Sequence, residues 1–284
     1  MPTEQFEEHR PHLRSVAFRI LGSAGEADDA VQEAWLRMDR ADIRGVRNLR
    51  GWLTTVVAHI CLDMLRARNG RADKPLSEVT ATAVPGAVLD PEAEAVLADS
   101  IGVALMVVLQ TLSPAERLAF VLHDMFDLPF AEIAPIVGRS ENTAAQLASR
   151  ARRRVRGKTP GPATDLGRQR RLVDAFLAAA RDGDFDALLA VLDSEVVLRV
   201  DAAAAGSATT IRGAHAVATN ARAFAANARF ADTALVDGAV GIVVAPEGSL
   251  TLVLRFTVVD AKIAGIDIDA DPARLSRFSL AILD

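Results

Sequence analysis

A chain of 284 residues, half of them apolar and 24% charged, has enough apolar material for two or three compact domains. No run of about eighteen apolar residues occurs, and the acidic start MPTEQFEEHR lacks the pattern of a secretion signal, so we expect a cytoplasmic protein without a membrane span. The single cysteine, Cys61, excludes an internal disulfide and a cysteine-based metal cluster, and we expect no cofactor.

The net charge of −5 conceals two basic stretches. Residues 37–74 carry nine basic and four acidic residues, and residues 139–158 carry seven basic residues and one acidic residue. The segment 76–100 between them has five acidic residues and no basic one. Two basic stretches on an otherwise acidic chain are typical of a protein that contacts nucleic-acid phosphates at two places.

The first third of the chain has the apolar periodicity of helices. Residues 13–21, 27–38 and 49–68 place apolar side chains at helical spacing, and Gly22 is a helix stop. Three such helices can bury their apolar stripes against one another, which predicts a small bundle. Residues 73–92 mix Gly, Pro, Ser and Asp without a period, which indicates a linker.

Capping signals dominate the next segment. Ser113-Pro114-Ala115-Glu116 is a capping box with proline at the first helical position, so a helix begins there. A short helix at 130–137, a turn at Gly138 and a helix capped by Ser140 follow, which is the layout of a helix-turn-helix. Pro135 lies inside the first helix of this pair, where it removes an amide donor and favours a kink.

A different pattern begins after a second linker at residues 158–168. Helices and β-branched, alternating segments are now interspersed, which predicts an α+β domain built around a curved antiparallel sheet. The predicted helices cover about 168–181, 184–192 and 213–227, and the predicted strands cover 196–200, 241–245, 249–259 and 262–269.

The first two parts together resemble a bacterial extracytoplasmic-function (ECF) RNA polymerase sigma factor. The resemblance is carried by FEEHRPHLRSVAFRILGSAGEADDAVQEAWLRM, LRGWLTTVVAHICLDMLRARNGR and LSPAERLAFVLHDMFDLPFAEIAPIVGRSENTAAQLASRARRRVR. The segment RRLVDAFLAAARDGDFDALLAVLDSEVVLRVD and the strands after it are similar to SnoaL-like domains. The resemblance implies two all-α sigma domains, a three-helix bundle and a helix-turn-helix, followed by an α+β SnoaL-like cone. The expected divisions are 1–72 (sigma domain two), 73–92 (linker), 93–157 (sigma domain four), 158–168 (linker) and 169–284 (SnoaL-like domain).

The resemblance also implies partners and contact residues. Core RNA polymerase is expected to bind Asp28, Asp29, Gln32, Glu33 and Arg37. The promoter minus-ten element is expected to contact Arg44, Arg47, Asn48, Arg50, His59, Arg66, Arg68 and Arg71. The minus-thirty-five element is expected to contact Arg139, Ser140, Asn142, Thr143, Gln146, Arg150, Arg153 and Arg154. The implied function is that of a sigma factor, not an enzyme, which binds core polymerase and directs promoter recognition.

The SnoaL-like domain is expected to regulate the sigma module. The family's regulatory stretch is matched in part by Asp271-Pro272-Ala273-Arg274-Leu275, and Asp165 begins a second partial match. Such cones can hold a small-molecule ligand. Polar candidates for the pocket are Asp201, His215, Asp232, Arg255, Asp267 and Asp269. Two alternatives remain open from the sequence: a DNA-binding regulator that acts without polymerase and senses a small molecule, and a SnoaL-like enzyme tethered to a DNA-binding module.

Overall fold

The computed structural model describes residues 2–41, 43, 45–72, 102–157 and 163–283 of the chain. The helices are α1 (Pro2–Leu21), α2 (Ala24–Arg40), α3 (Leu49–Ala72), α4 (Val103–Gln110), α5 (Pro114–Phe120), α6 (Phe130–Val137), α7 (Glu141–Arg156), α8 (Ala163–Asp182), α9 (Phe185–Val191), α10 (Ala202–Ala205), α11 (Ala214–Ala223), α12 (Ala225–Ala228) and α13 (Pro272–Leu275). The strands are β1 (Leu192–Val200), β2 (Thr209–Arg212), β3 (Ala231–Val236), β4 (Ala239–Val244), β5 (Leu252–Val259), β6 (Lys262–Asp269) and β7 (Leu280–Ala281).

Contacts divide the chain into two compact units. The first unit comprises Met1–Glu94 and Leu112–Arg152, and the second comprises Ala95–Thr111 and Arg153–Asp284. Helix α4, which the sequence places in sigma domain four, is therefore part of the second unit. Within the described residues, no helix is both long and apolar enough to cross a membrane.

Helices α1 to α3 form the bundle that the apolar periodicity predicts. They pack pairwise against one another and bury their apolar stripes, including Leu13, Ala30 and Leu53. Gly22 ends α1 with a φ of 85°, which favours glycine, and the Ser23 hydroxyl then caps α2 by accepting a hydrogen bond from the Glu26 amide.

Helices α5 to α7 contain the predicted helix-turn-helix. The capping box of Ser113 and Glu116 begins α5, and a π-helical turn at Val121–Met125, which the sequence did not indicate, follows directly. Pro135 lies in the last turn of α6, and the helix continues through it to Val137. Gly138 then adopts a left-handed conformation with a φ of 68°, the usual end of a helix before a tight turn.

A buried arginine joins the two parts of the first unit. Arg117 of α5 is only 5% exposed, and its Nη1 atom donates a hydrogen bond of 3.0 Å to the carbonyl of Ile20 in the last turn of α1. Burial lowers the pKa of the Arg117 guanidinium to about 10. A cation at this position is favourable because the carbonyl end of a helix carries partial negative charge. Helix α3 also packs against α5 and α6, so the bundle and the helix-turn-helix share one core.

The second unit contains a seven-stranded sheet in the order β2-β1-β6-β5-β4-β3-β7. The predicted α+β architecture is present, but the sheet is mixed and not wholly antiparallel, because β1 pairs with β6 in parallel. The other strand pairs are antiparallel. Strands β2, β3 and β7 were not predicted. Helix α8 begins at Ala163, within the segment expected to be a linker.

Both faces of the sheet are covered in part. Helices α8, α9 and α11 bury the inner face, where Phe176 packs on Phe256 and the core includes Leu235 and Ile242. Side chains alternate across a strand, so Ala234 and Val243 point to the outer face. Both are fully buried there, and α4 packs against β3, β4 and β7. One helix of the predicted sigma domain four therefore covers the outer face of the C-terminal sheet.

Candidate polymerase and nucleic-acid interfaces

The expected polymerase-binding residues lie along the outer side of α2. Asp28, Asp29 and Gln32 are exposed, while the apolar stripe of the helix is buried. Asp28 accepts a hydrogen bond of 2.6 Å from Arg14 of α1, and Glu33 pairs with Arg37 at 2.9 Å.

Leu36, on the same helix, is an exposed apolar residue. It was not among the expected polymerase contacts. Its side chain is 40% exposed. Among the described residues, Leu36 and Val259 are the two large apolar residues that are exposed. The signal in the sequence was a leucine outside the apolar stripe of α2. An exposed leucine beside charged residues is suited to a protein-protein contact.

The expected minus-ten residues surround the start of α3, where two of them also stabilise the fold. The Asn48 side chain accepts a hydrogen bond of 2.9 Å from the Gly51 amide, as a helix cap does. Arg50 donates to the His12 ring at 3.0 Å, whereas Arg47 is exposed. Arg44 and the side chain of Arg71 lie outside the described residues.

Neighbouring hydrogen bonds fix the protonation of His12. The Thr54 hydroxyl donates to the Arg50 carbonyl at 2.8 Å, so His12 Nε2 must be the donor in its 3.1 Å contact with that hydroxyl. His12 Nδ1 is then the acceptor for the guanidinium of Arg50. Burial and the nearby positive charge of Arg50 lower the pKa of His12 to about 4. His12 is therefore a neutral residue that positions a predicted DNA contact.

The remaining minus-ten candidates follow α3 toward its C-terminus. His59 is half-buried, and its Nδ1 atom donates to the Thr55 carbonyl at 2.9 Å. Arg66 lies 3.8 Å from Asp63, and Arg68 pairs with Glu26. Both arginines are exposed, so solvent-screened pairs of this kind can be exchanged for phosphate contacts at little cost.

The expected minus-thirty-five residues lie on the turn and the exposed side of α7. The Ser140 hydroxyl accepts a hydrogen bond from the Thr143 amide at 3.3 Å and lies 2.8 Å from the Thr143 hydroxyl, so these two residues cap the helix. Arg139, Asn142 and Gln146 are exposed around this helix start. In a helix-turn-helix, the first turns of the second helix are the part that reaches base edges.

Arginines continue along α7 beyond these residues. Arg150 lies 4.0 Å from the buried Glu116, and Arg152 pairs with Asp124 at 2.5 Å. Arg153 and Arg154 are exposed and belong to the second unit. Cations near a helix C-terminus are favourable on their own, so these arginines stabilise α7 whether or not they also make the expected phosphate contacts.

The expected regulatory stretch forms a fixed corner of the second unit. Asp271 caps α13 by accepting from the amides of Ala273 and Arg274, and Leu275 is buried. Arg274 also donates to Asp269 at 2.6 Å. Pro272 is the first residue of α13, and the side chain of Asp165 lies outside the described residues.

The polar candidates for a pocket are engaged in structural contacts. Asp201 caps α10 and also accepts hydrogen bonds from the amides of Ala270 and Asp271. Burial raises the pKa of Asp201, but the hydrogen bonds from these amides outweigh that effect, so its pKa is lowered overall. Asp269 is 2% exposed and pairs with Arg255 at 3.0 Å in addition to Arg274. Asp267 pairs with Arg199 at 3.5 Å, and His215 contacts Phe185 edge-on.

Asp232 has a role that the sequence could not reveal. Its Oδ2 atom accepts a hydrogen bond of 3.1 Å from the amide of Ala104, at the start of α4. The residue before α4, Gly102, supplies no side-chain cap. A carboxylate from β3 therefore caps a helix that lies 128 residues earlier in the chain.

Comparison with known proteins identifies the family. The descriptions Sigma-70 region 2 and Sigma-70, region 4 match residues 5–71 and 102–155, respectively. The probable ECF RNA polymerase sigma factor SigI of Mycobacterium tuberculosis (strain CDC 1551 / Oshkosh) is 37% identical over 196 residues, which is 68% of each chain. The chain belongs to the ECF RNA polymerase sigma factors.

The ECF sigma factor SigJ of M. tuberculosis (strain ATCC 25618 / H37Rv) is 42% identical over 211 residues, which is 71% of this sigma factor and 65% of SigJ. The crystal structure of M. tuberculosis SigJ matches 96% of this chain and 98% of that chain at 31% identity and a TM-score of 0.45.

Membership assigns the general activity of this sigma factor. It is a subunit of RNA polymerase that directs the enzyme to promoters, and a DNA-binding regulator without polymerase is not favoured. The region 4 match begins at residue 102 and so includes α4. Helix α4, which Asp232 caps, is therefore the first helix in the matched region 4 of this sigma factor.

Proposed function

We propose that this sigma factor recognises its promoters through the residues at the start of α3 and of α7, and docks on core RNA polymerase through the outer side of α2. The observation that carries the proposal is the start of α7, where Asn142 and Gln146 are exposed on a helix fixed by the Ser140 cap. Asparagine and glutamine can each form two hydrogen bonds with an adenine edge in the major groove. The exposed arginines along α3 and α7 supply phosphate contacts, which position the protein on DNA.

We further infer that the C-terminal domain modulates region 4 through α4. Support comes from the Asp232 cap and from the burial of α4 against β3, β4 and β7. Anything that changes this packing changes the first helix of region 4. Binding, and not catalysis, is the mechanism that we assign to both parts of the protein.

Reconstituted transcription tests the promoter contacts. The full chain is combined with core RNA polymerase on the promoter upstream of its own gene, together with the variant Asn142→Ala/Gln146→Ala and the control Glu132→Gln on α6. Each lost base contact costs about 1–3 kcal/mol, so the double variant is expected to reduce specific transcript at least tenfold. Its binding to core polymerase in a pull-down should equal that of the wild type.

Base substitutions in the promoter complete the test. The double variant should lose discrimination among minus-thirty-five sequences and keep discrimination among minus-ten sequences. Equal transcription by the double variant and the control would refute the assignment of α7 as the reading helix.

A further inference from the structure

An open groove lies in the second unit beside α4. Its volume is about 820 Å³, which is in the range of pockets that hold small molecules. Val107 and Gln110 of α4 form one wall, and residues 249–252 at the start of β5 form another. Helix α10 and the chain from Ala270 to Leu280, which includes α13, close the remaining sides. The first helix of region 4 and the expected regulatory stretch, Asp271–Leu275, therefore line the same groove.

The part of the groove lining that the structure describes carries no charged side chain. Among the described residues that line it, the polar side chains are all hydroxyls or an amide, and the others are apolar. The polar ones are Gln110, Thr111, Ser249, Thr251 and Ser276. The apolar ones include Val107, Leu275 and Phe278. No side chain described in this lining carries a charge that could pair with an ionic ligand, so the lining favours a neutral molecule.

Existing hydrogen bonds define which polar groups the molecule should carry. Thr111 donates to the Val108 carbonyl at 2.7 Å, Thr251 to the Val244 carbonyl at 3.1 Å and Ser276 to the Ala273 carbonyl at 3.1 Å. Their hydroxyl protons are thus committed, while their oxygens can still accept. A complementary ligand therefore carries hydrogen-bond donors, as an alcohol or diol does.

An apolar cavity lies next to the groove. This cavity has a volume of about 250 Å³, and Ala204 and Leu252 line both spaces. Asn220 is the polar side chain in its described lining, which otherwise consists of residues such as Phe176, Leu198 and Ile266. An aliphatic chain suits this interior, and a hydroxylated head suits the groove outside it.

We propose that this groove binds a neutral amphiphile with a hydroxylated head and an aliphatic tail, and that the ligand changes the packing of α4. The proposal deepens the proposed function, on which its regulatory part rests. The side chain of Gln110 donates to the Gly248 carbonyl across the groove wall, and this contact holds the end of α4 to the chain before β5. A ligand head that occupies the groove competes for the same groups.

The experiment uses the full chain with Nile red, a neutral fluorescent probe, and three ten-carbon competitors below their aggregation limits. These are 1,2-decanediol, decanoate and decylammonium, which differ in the charge of the head. The test variant is Ala203→Trp, which fills the groove from an exposed position on α10, and the control is Ala202→Trp, an exposed neighbour that does not line it.

We expect saturable binding of Nile red to the wild type and to Ala202→Trp, and at least tenfold weaker binding to Ala203→Trp. The diol should displace the probe at least tenfold more effectively than either charged competitor, and should change amide hydrogen exchange in residues 103–110. Absence of saturable binding, equal binding by the two tryptophan variants or equal displacement by charged competitors would overturn the site. Binding of the diol without any change in exchange at 103–110 would overturn its link to α4. Neither result affects the proposed promoter contacts, which are measured by transcription without a ligand.

Discussion

At the scale of single residues, several candidates combine a predicted contact with a structural role. Asn48 caps α3, Ser140 caps α7 and Arg50 donates to the neutral ring of His12. A loss of activity on substituting such a residue therefore mixes two effects. Asn142 and Gln146 are cleaner probes of DNA contact because they are exposed on a helix whose cap is another residue.

His12 gives the first unit a dependence on pH. Its pKa in the folded state is about 4, below the ordinary value of 6.5, so the unfolded chain binds the proton more readily. Stability is therefore complete above about pH 6.5 and falls as the pH decreases toward 4. We expect a loss of about 1–2 kcal/mol over this range, less than the full linkage because the ring is half-exposed.

Urea unfolding followed by tryptophan fluorescence measures this loss. Both tryptophans of the chain, Trp35 and Trp52, belong to the first unit, so the signal reports on that unit alone. The variant His12→Gln keeps a donor and an acceptor without titrating, and its stability should vary less with pH. An unchanged slope in this variant would rule His12 out as the source.

At the scale of elements, patterns within one helix or strand were predicted well and contacts between distant ones were not. The capping box at Ser113, the glycine turn at Gly138 and strand β6 all follow from local sequence, and the structure contains them. Strands β2, β3 and β7 lack a sustained alternation of apolar and polar residues, so their place in the sheet comes from neighbouring strands.

The location of α4 shows why the candidate site was only partly predictable. Val103, Met106, Val107 and Leu109 are all buried, and an apolar helix of this kind can pack on any apolar surface. Nothing in eight residues specifies that the surface is a sheet more than a hundred residues later. For the same reason Asp232 was read as a pocket residue, whereas the structure shows it capping α4.

The cap on α4 leads to a prediction at this scale. Replacing Asp232 by alanine removes both the acceptor and the charge, which should weaken the start of α4 by about 1 kcal/mol. Amide exchange at residues 103–110 should therefore accelerate about fivefold, and transcription by the variant should differ from that of the wild type. The control is Asp267→Ala, whose pair with Arg199 is exposed on the sheet. Equal exchange in the two variants would contradict a capping role.

At the scale of the whole molecule, the proposed promoter contacts require the first unit to separate its two parts. Promoter elements at minus ten and minus thirty-five are about 25 base pairs apart, which is about 85 Å along the duplex. The first unit packs α3 against α5 and α6 around a shared core, and a compact unit of this length has a radius of gyration on the order of 14 Å. Such a unit cannot reach both elements. The contacts between its two parts, Arg117 with the Ile20 carbonyl and the His12 ring with the Phe126 ring, must therefore open if both promoter contacts form together.

Distance measurements between fluorescent labels test this opening. Cysteines introduced at Ala41 and Ala131, both exposed, carry the labels, while Cys61 is buried and burial raises the pKa of its thiol, which protects it from labelling. We expect a separation within about 40 Å in the free chain and beyond about 60 Å in the promoter complex with polymerase. The pair Ala41 and Asp63, within the bundle, should keep its separation. A constant Ala41–Ala131 distance would show that the unit binds DNA without opening.

The distance along the chain between Ala104 and Asp232 also has a consequence for synthesis. A ribosome adds about 5–20 residues per second, so roughly 6–26 s pass between the appearance of α4 and that of the carboxylate that caps it. Both sets of proposed promoter-contact residues are made before residue 232, when the sheet that receives α4 does not yet exist. Region 4 of this sigma factor is thus completed only after the strands of the C-terminal sheet have been made, and a chain terminated before residue 232 would carry α4 with its apolar surface uncovered.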